Sequence, residues 1–576
     1  MNKKKTLIFV ILFFILAVNF FLNVYGNEWG LPSRWNVDEK VANVLHMAQQ
    51  RVLYDPIGLF IHPTGYLIFL LIFLIPAYGF LKIIDYPWVE LKQAASISWI
   101  HMADQFPGFA TGIYIYARTL SALLGTATVY MIYLSAKKLY GEKTALYSAG
   151  LLSLTLGFLG FNHFAKYTAL MNLCIVTTLF LCLKAMSAKK ERGALKYVLF
   201  SFLIGGFGTS VHINGPLLML PVGLAFVFVC YEFNLSFLAI IKNFSKAFIC
   251  GLGGLLIGMP ALVFHFQDYF VAYSGKNSTP LDLSSLSIFT TWINYFFELI
   301  SVFSVPAFCI VILGLLYTAY HWKKLSTSEG LVLIFIGSYF LIITTFLKDK
   351  YPETKNIIAI VPLLTIFGGR LLALASHKKF FAIFIFPLFW GYLFLYSFQG
   401  LTIFKQGDTR HHSSQWIQSH IPKGSTIEVF DQLNYVAVTT IMKNYEIIYL
   451  GQSSKNHSGD LFFKWNAVPN RENYLKKINQ SDSTSDFILI DLNNINDLYK
   501  ETYMSHIPGF REYELSLFQG KKNYKLVNVF KQKNQKIESI RWPHIIRFHN
   551  LWWNPIPCYS ETSNIIYVFQ KQKVSL

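Results

Sequence analysis

Charge is scarce in this chain. Of 576 residues only 14% are Asp, Glu, Lys or Arg, whereas 53% are hydrophobic. A soluble protein of this length needs far more polar surface, so the composition excludes one and defines a polytopic membrane protein. Acidic residues are scarcer still, 31 against 50 Lys and Arg, for a net charge of +19. The basic residues are spread through loops, where in a membrane protein they report topology and contact with anionic headgroups and membrane lipids. Nucleic acid is not an expected partner. Cysteine is rare as well, with six in the whole chain. Cys174, Cys182, Cys230, Cys250 and Cys309 fall in or beside apolar segments and Cys558 stands alone in the polar tail. That pattern excludes a disulfide framework, and no CxxC or Cys/His cluster has metal-ligand spacing. There is no internal repeat and no low-complexity linker, and the absence of repeats argues against repeat-built transporter folds.

What the chain has in abundance is long apolar runs and aromatics, 17% of residues, as lipid-facing helices and interfacial belts require. Met1 to Lys5 followed by the apolar run 6–25 has the shape of a signal sequence, but the run is long enough to span and reads as an uncleaved anchor. Further spans read at 112–136, 145–163, 167–184, 197–211, 215–232, 247–265, 301–320, 328–346, 357–374 and 380–400. With about eleven spans, every basic loop (Lys137-Lys138, 184–196, 242–246, Trp322-Lys323-Lys324 and His377-Lys378-Lys379) lands in the cytoplasm. The run 64–84 is long enough to cross but would invert that parity. It reads as a helix or hairpin that dips into the outer leaflet and returns, broken near Pro76, or as a juxtamembrane helix.

This parity leaves residues 26–111 outside as one long first loop, together with the turns at 164–166 and 211–214, the loop 267–294 and the loop 348–355. The chain after about 402 is outside too. Residues 403–576 are polar and mixed. Ser413 to His420 reads as a helix stopped by Ile421-Pro422-Lys423-Gly424. Thr426–Phe430, Glu446–Leu450, Phe487–Asp491 and Asn564–Gln570 read as strands, and 472–478 and 494–503 as helical. The expected architecture is a transmembrane domain over 1–402 and a small extracytoplasmic α/β domain over 403–576.

The stretch Trp35-Asn36-Val37-Asp38-Glu39 places two adjacent carboxylates in the first outer loop, ahead of a helix-like run from Lys40 to Arg51. A solvated turn is the plain alternative, because charge costs little among wet headgroups. The rest of the chain, however, keeps returning basic and aromatic groups to the same side. Moving a sugar from a lipid-linked phosphate needs a base for the acceptor hydroxyl, cations for the departing phosphate and a groove for the prenyl chain. Adjacent carboxylates repel, so one holds its proton more tightly and moves toward a pKa useful to a general base. Asp38 and Glu39 could instead ligate a divalent cation through oxygen. Arg118, Lys350 and Lys355 are the candidate cations, with interfacial snorkelling as the alternative for each. His62 and His212 are weaker candidates.

The order of these motifs resembles the GT-C membrane glycosyltransferases, specifically glycosyltransferase family 39, related to protein O-mannosyltransferases and lipid A aminoarabinose transferases. Asn36-Val37-Asp38-Glu39 resembles the family's H-P-D-E, with Asn36 and Val37 in place of His-Pro. His62-Pro63-Thr64 resembles its H-P-P. Arg118 through Val129 (RTLSALLGTATV) resembles its R-x-x-S-A-x-x-G-T-x-T-V helix and is the most specific match. Asn162 through Tyr167, which contains Lys166, resembles its third outer turn. Gly208 through Gly215 resembles its T-K-x-N-G turn, with His212 in place of lysine, and Lys355-Asn356 through Pro362 resembles R-Y-x-x-P-x-x-P more loosely. The resemblance implies a GT-C-like fold, Asp38 as general base, Arg118 as a phosphate-binding or site-organising residue, and Lys166 as a further site residue. The expected activity is inverting transfer of a sugar from a polyprenyl-phosphate donor to a lipid, glycan or protein acceptor on the extracytoplasmic face. A transporter or non-catalytic assembly partner for lipid-linked glycans with the same fold is the alternative.

Overall fold

The computed structural model describes residues 3–31, 39, 41–54, 63–83, 107–276, 285–346, 354–405, 409–431, 444–449, 466–467, 485–492, 510–531 and 565–572. The helical stretches expected at 472–478 and 494–503 lie outside them. The chain divides into two compact units. The larger holds Met1–Asn27, Val37–Ile97 and Gly108–Leu401, and the smaller holds Glu28–Asn36, Ser98–Pro107 and Thr402–Leu576. The linear division at 402 did not provide for the two pieces of the first outer loop that join the smaller unit. Within the smaller unit Trp29 meets Phe404 edge to face at 5.9 Å, and the Arg410 guanidinium lies over the Trp29 ring at 5.7 Å.

The larger unit is helical throughout. Its first four helices are α1 (Lys3–Val24), α2 (Val41–Gln50), α3 (Gly65–Ile83) and α4 (Pro107–Tyr140). There follow α5 (Glu142–Ser153), α6 (Leu156–Asn162), α7 (Tyr167–Met186), α8 (Glu191–Val211), α9 (Met219–Glu232) and α10 (Phe237–Gly258). The remainder are α11 (Phe266–Lys276), α12 (Ser285–Phe303), α13 (Val305–Tyr320), α14 (Thr327–Phe346), α15 (Thr354–Ile357), α16 (Val361–Ala375) and α17 (Phe386–Leu401). Among the described residues nine helices are long and apolar enough to cross a membrane, or up to eleven if two bent pairs each count as one span. The helical content and the eleven-span reading thus agree with the sequence pattern.

The bends have visible causes. Between α5 and α6 the axis turns by 64° at Leu154-Thr155, where the Ser153 and Thr155 hydroxyls donate back to the Ala149 and Leu151 carbonyls at 2.8 Å each. Such back-bonding competes with the ladder and bends helices. Between α12 and α13 the turn is 116°. There Ser304 takes the left-handed region at φ 72°, and Pro306 supplies no N–H to carry the helix backward.

The hairpin expected near Pro76 is not present: α3 runs unbroken from Gly65 to Ile83. A proline in a helix withdraws one N–H and disturbs the carbonyls a turn earlier. Here the Tyr116 hydroxyl donates to the Phe73 carbonyl at 3.1 Å, the kind of neighbour-supplied bond that lets apolar helices tolerate proline. At the start of α3 the Thr64 hydroxyl donates to the Gly258 carbonyl at 2.9 Å.

Helices α8 and α10 pack backbone to backbone. A Cβ on Gly206 would stand 2.0 Å from the Gly251 carbonyl oxygen, and one on Gly254 would stand 2.0 Å from that of Leu203. Small residues at such crossings permit the close approach that holds helices together in lipid.

The smaller unit holds helix α18 (Thr409–His420), helix α19 (Phe510–Phe518) and strands β1 (Thr426–Asp431), β2 (Glu446–Tyr449), β3 (Asn466–Ala467), β4 (Phe487–Leu492), β5 (Tyr524–Phe530) and β6 (Ile565–Lys571). They form one sheet in the order β3-β2-β1-β4-β6-β5. The first four strands are parallel and β6 and β5 antiparallel. Ile427, Val429, Ile488 and Leu489 are all fully buried, as apolar runs in a parallel sheet covered on both faces should be. Gly424 at φ +85° makes the turn after α18. Strand β5 was not expected. Its register shifts between Leu526 and Asn528, and a bulge of this kind breaks the two-residue alternation by which a strand is recognised.

A candidate active site at one end of the helical unit

Glu39 stands just ahead of α2, and its carboxylate is fully buried. α2 is short, and it docks because Val41, Val44 and Met47 are buried at the three-residue spacing of one helix face. The buried carboxylate meets Arg118 of α4, itself 1% exposed. Arg118 Nε donates to Glu39 Oε1 and Nη2 to Oε2, both at 2.8 Å. This two-pronged geometry is the strong form of the pair. Arg118 Nη1 also donates to the Asn27 carbonyl, at 2.5 Å, and the Tyr114 and Phe164 rings lie 5.9 Å from the guanidinium carbon.

A third donor comes from the turn after α6. Lys166 N–H closes that turn on the Phe164 carbonyl at 2.8 Å and leaves Ala165 N–H to donate to Glu39 Oε1 at 2.9 Å. The Lys166 side chain is buried, with its ammonium 5.2 Å from the Phe164 ring centre. The ends of α1, α4 and α6 are thereby tied to one carboxylate. Losing either partner of such a pair strands the other charge in a dry site, at a cost of about 3–5 kcal/mol.

Beside this clamp runs a second polar group. Tyr167, next after Lys166, stacks on His212 with ring centres 4.2 Å apart and planes 18° from parallel, and His212 Nδ1 accepts from Asn214 N–H at 3.2 Å. Asn214 donates to the Tyr339 hydroxyl at 3.1 Å, which donates to the Asn356 carbonyl at 3.1 Å. Asn356 Nδ2 donates to the Tyr295 hydroxyl at 3.3 Å, and the Thr354 hydroxyl donates to Glu298 at 2.6 Å. Lys355 sits half-buried between Thr354 and Asn356. Just inside this rim opens a purely apolar cleft of about 210 Å³, lined by residues of α12, α13, α14 and α16 that include Phe303, Val311, Ile336 and Leu364.

Of the residues singled out from sequence, Glu39, Arg118 and Lys166 meet in the clamp, and His212 and Lys355 stand in the polar rim. Asp38, His62 and Lys350 lie outside the described residues. Arg118 bonds Glu39 and the Asn27 carbonyl within the protein. Both Glu39 oxygens accept from Arg118, and Oε1 also accepts from the Ala165 N–H. Among the described residues no three His, Cys, Asp or Glu side chains gather as a metal site would. Sequence reasoning missed Tyr295, Glu298, Tyr339 and Thr354. Glu298 carried a signal, as the one acidic residue in the apolar helix 285–303, because ionisable groups inside such segments are costly and mark function.

Residues 114–264, which contain Arg118, Lys166 and His212, match the family described as Dolichyl-phosphate-mannose-protein mannosyltransferase. The chain is similar to the Archaeoglobus fulgidus oligosaccharyltransferase tethered with an acceptor peptide, at 11% identity and TM-score 0.50, over 99% of this chain and 89% of that one. It is similar to ArnT from Cupriavidus metallidurans in the apo state at 13% identity and TM-score 0.49, over 86% of this chain and 95% of that one. The undecaprenyl-phosphate-bound form of that ArnT aligns at 10% identity and TM-score 0.47, over 97% of each chain. No curated protein matches. The fold is GT-C-like, and residues 114–264 match the mannosyltransferase family model.

Proposed function

We propose that this chain is an inverting membrane glycosyltransferase that takes a sugar from a polyprenyl-phosphate donor and passes it to an acceptor hydroxyl on the extracytoplasmic face. The observation that carries the reading is the buried Glu39 clamp. It fixes the residue whose chain neighbour is Asp38, about 3.8 Å away between Cα atoms by covalent geometry alone. Asp38 is the general base: it takes the acceptor proton, the acceptor oxygen bonds to the anomeric carbon, the bond from that carbon to the phosphate oxygen breaks, and polyprenyl phosphate departs. Attack opposite the leaving group inverts the anomeric centre. Glu39 and Arg118 position the base rather than touch the substrate.

Lys355, with Lys350, Lys166, His212 and His62, supplies the polar and cationic surroundings of the phosphate, where charge is worth more because water is partly excluded. The apolar cleft inside the Tyr339–Asn356 rim suits a prenyl chain. A lipid-phosphate donor is further supported by the dolichyl-phosphate-mannose chemistry in the description of the matching family. The acceptor is a lipid, a glycan or a protein. The test compares lipid-linked and envelope glycans by mass spectrometry from cells carrying the wild-type gene, the Asp38→Asn gene or none. A sugar present only with the wild type is the expected result, and identical glycans in all three would end the proposal.

A further inference from the structure

Helix α11 follows soon after α10 and leaves an unusual surface uncovered. Phe264, Phe266, Phe270 and Val271 are 85%, 63%, 64% and 67% exposed, whereas Tyr269 between them is 3% exposed. With 3.6 residues per turn, Phe266, Phe270 and Val271 fall within one arc of about 140°, which the exposed Gln267 shares, and Asp268 lies beyond it. Asp268 is 56% exposed and pairs with His265 at 2.9 Å.

The opposite side of the segment packs on protein. Met259, Ala261 and Tyr269 form a small buried cluster against which Tyr54, Leu255 and Leu262 rest, and the Tyr54 ring lies 5.4 Å from that of His265. The exposed apolar surface continues one that already faces lipid. On the membrane-spanning helix α10, Ile249, Leu252 and Ile257 are 66%, 42% and 59% exposed, and Val263, 61% exposed, leads from them to α11.

We propose that α11 is an interfacial helix lying in the headgroup–acyl boundary of the leaflet on the Glu39 side, with Phe266, Phe270 and Val271 among the lipid chains. A helix with one apolar face, one wet face and no room to cross the bilayer settles in this boundary. The lipid occupies the face on which Phe266, Phe270 and Val271 are exposed among the described residues, and Asp268 points to water. The protein side of α11 then fixes Tyr54, in the loop that follows α2, so the membrane surface itself helps to place the segment bearing Glu39.

Single-cysteine labelling of the full chain tests this, with Phe266→Cys, Phe270→Cys and Val271→Cys as lipid-facing positions and Asp268→Cys as the wet one. A membrane-impermeant maleimide is applied to purified protein in dilute lipid vesicles and then in detergent with a small headgroup, with the unsubstituted protein giving the background. The expected result in vesicles is modification at the three apolar positions at least about tenfold slower than at Asp268→Cys, because the reagent stays in water. In detergent that gap should narrow. Equal rates in dilute vesicles would mean the face is wet there and covered, if ever, only by a second copy or another protein. Protection that persists undiminished in detergent would mean another part of this chain covers it. Either outcome overturns the proposal.

Discussion

At residue scale the proposed function assigns the two adjacent acids of the first loop different roles. Glu39 is the buried anchor of a pair in which both oxygens accept hydrogen bonds, and the proposed function gives the base role to Asp38. Replacing Asp38 by Asn removes the basic lone pair but keeps the shape. Transfer measured on purified enzyme should then fall by roughly two to four orders of magnitude, with the melting temperature unchanged. Glu39→Gln should behave differently. It strands the Arg118 charge in a dry site and should destabilise the protein by about 3–5 kcal/mol, seen as lost yield and a lower melting temperature as well as lost activity. Arg118→Met combined with Glu39→Leu should be less damaging to stability than the two single changes added together, since the double variant leaves no unpaired charge. Simple additivity would mean the pair is not coupled.

At the scale of elements, α14 carries both the rim and the cleft. Tyr339 joins Asn214 to Asn356, and Gly337 on the same helix lines the cleft with no atom within 4 Å of where its Cβ would stand. Gly337→Leu should therefore fold normally and fill part of the space assigned to the prenyl chain. The expected effect is a rise in KM for the lipid donor of about tenfold, the loss of one or two buried methylenes' worth of contact, with kcat little changed. An unchanged KM would place the chain elsewhere. Lys355→Ala should raise the same KM through the phosphate, and its effect should shrink at high ionic strength if the lysine is partly wet.

For the whole molecule, the helix ends sort into two sets. Glu39, Arg118, Ala165, His212 and Asn356 gather at one end of the larger unit. At the other end Arg370 donates to the Tyr140 hydroxyl, the Thr318 hydroxyl and Glu329 at 3.1, 3.2 and 2.9 Å. Arg370 thus joins the ends of α4, α13, α14 and α16 on the side where the basic loops stand. Cysteines placed at Lys138 and at Lys423 should accordingly be labelled by an impermeant reagent from opposite sides of the membrane. Labelling of both from one side would undo the parity argument and the shared active face.

The hydrophobic runs by themselves determined the class, because about 18 or more apolar residues in a row have no stable place but a bilayer. The basic loops set the expected orientation through their charge. The motif around Asp38-Glu39 and the Arg118 helix were likewise legible, since each is a short local pattern. What only the tertiary structure decided are contacts between residues far apart in the chain. No pattern in the sequence joins Glu39 to Ala165, or Asn214 to Tyr339, and none shows that Arg118 would bond Glu39 and the Asn27 carbonyl. Nor could the sequence reveal that the Tyr116 hydroxyl would donate to the Phe73 carbonyl of α3, or that Trp29 would belong to the smaller unit. Periodicity reports which face of an element is apolar, but the partner of a polar group is chosen by the packing of several elements at once. The site therefore became specific only when the helix ends came together.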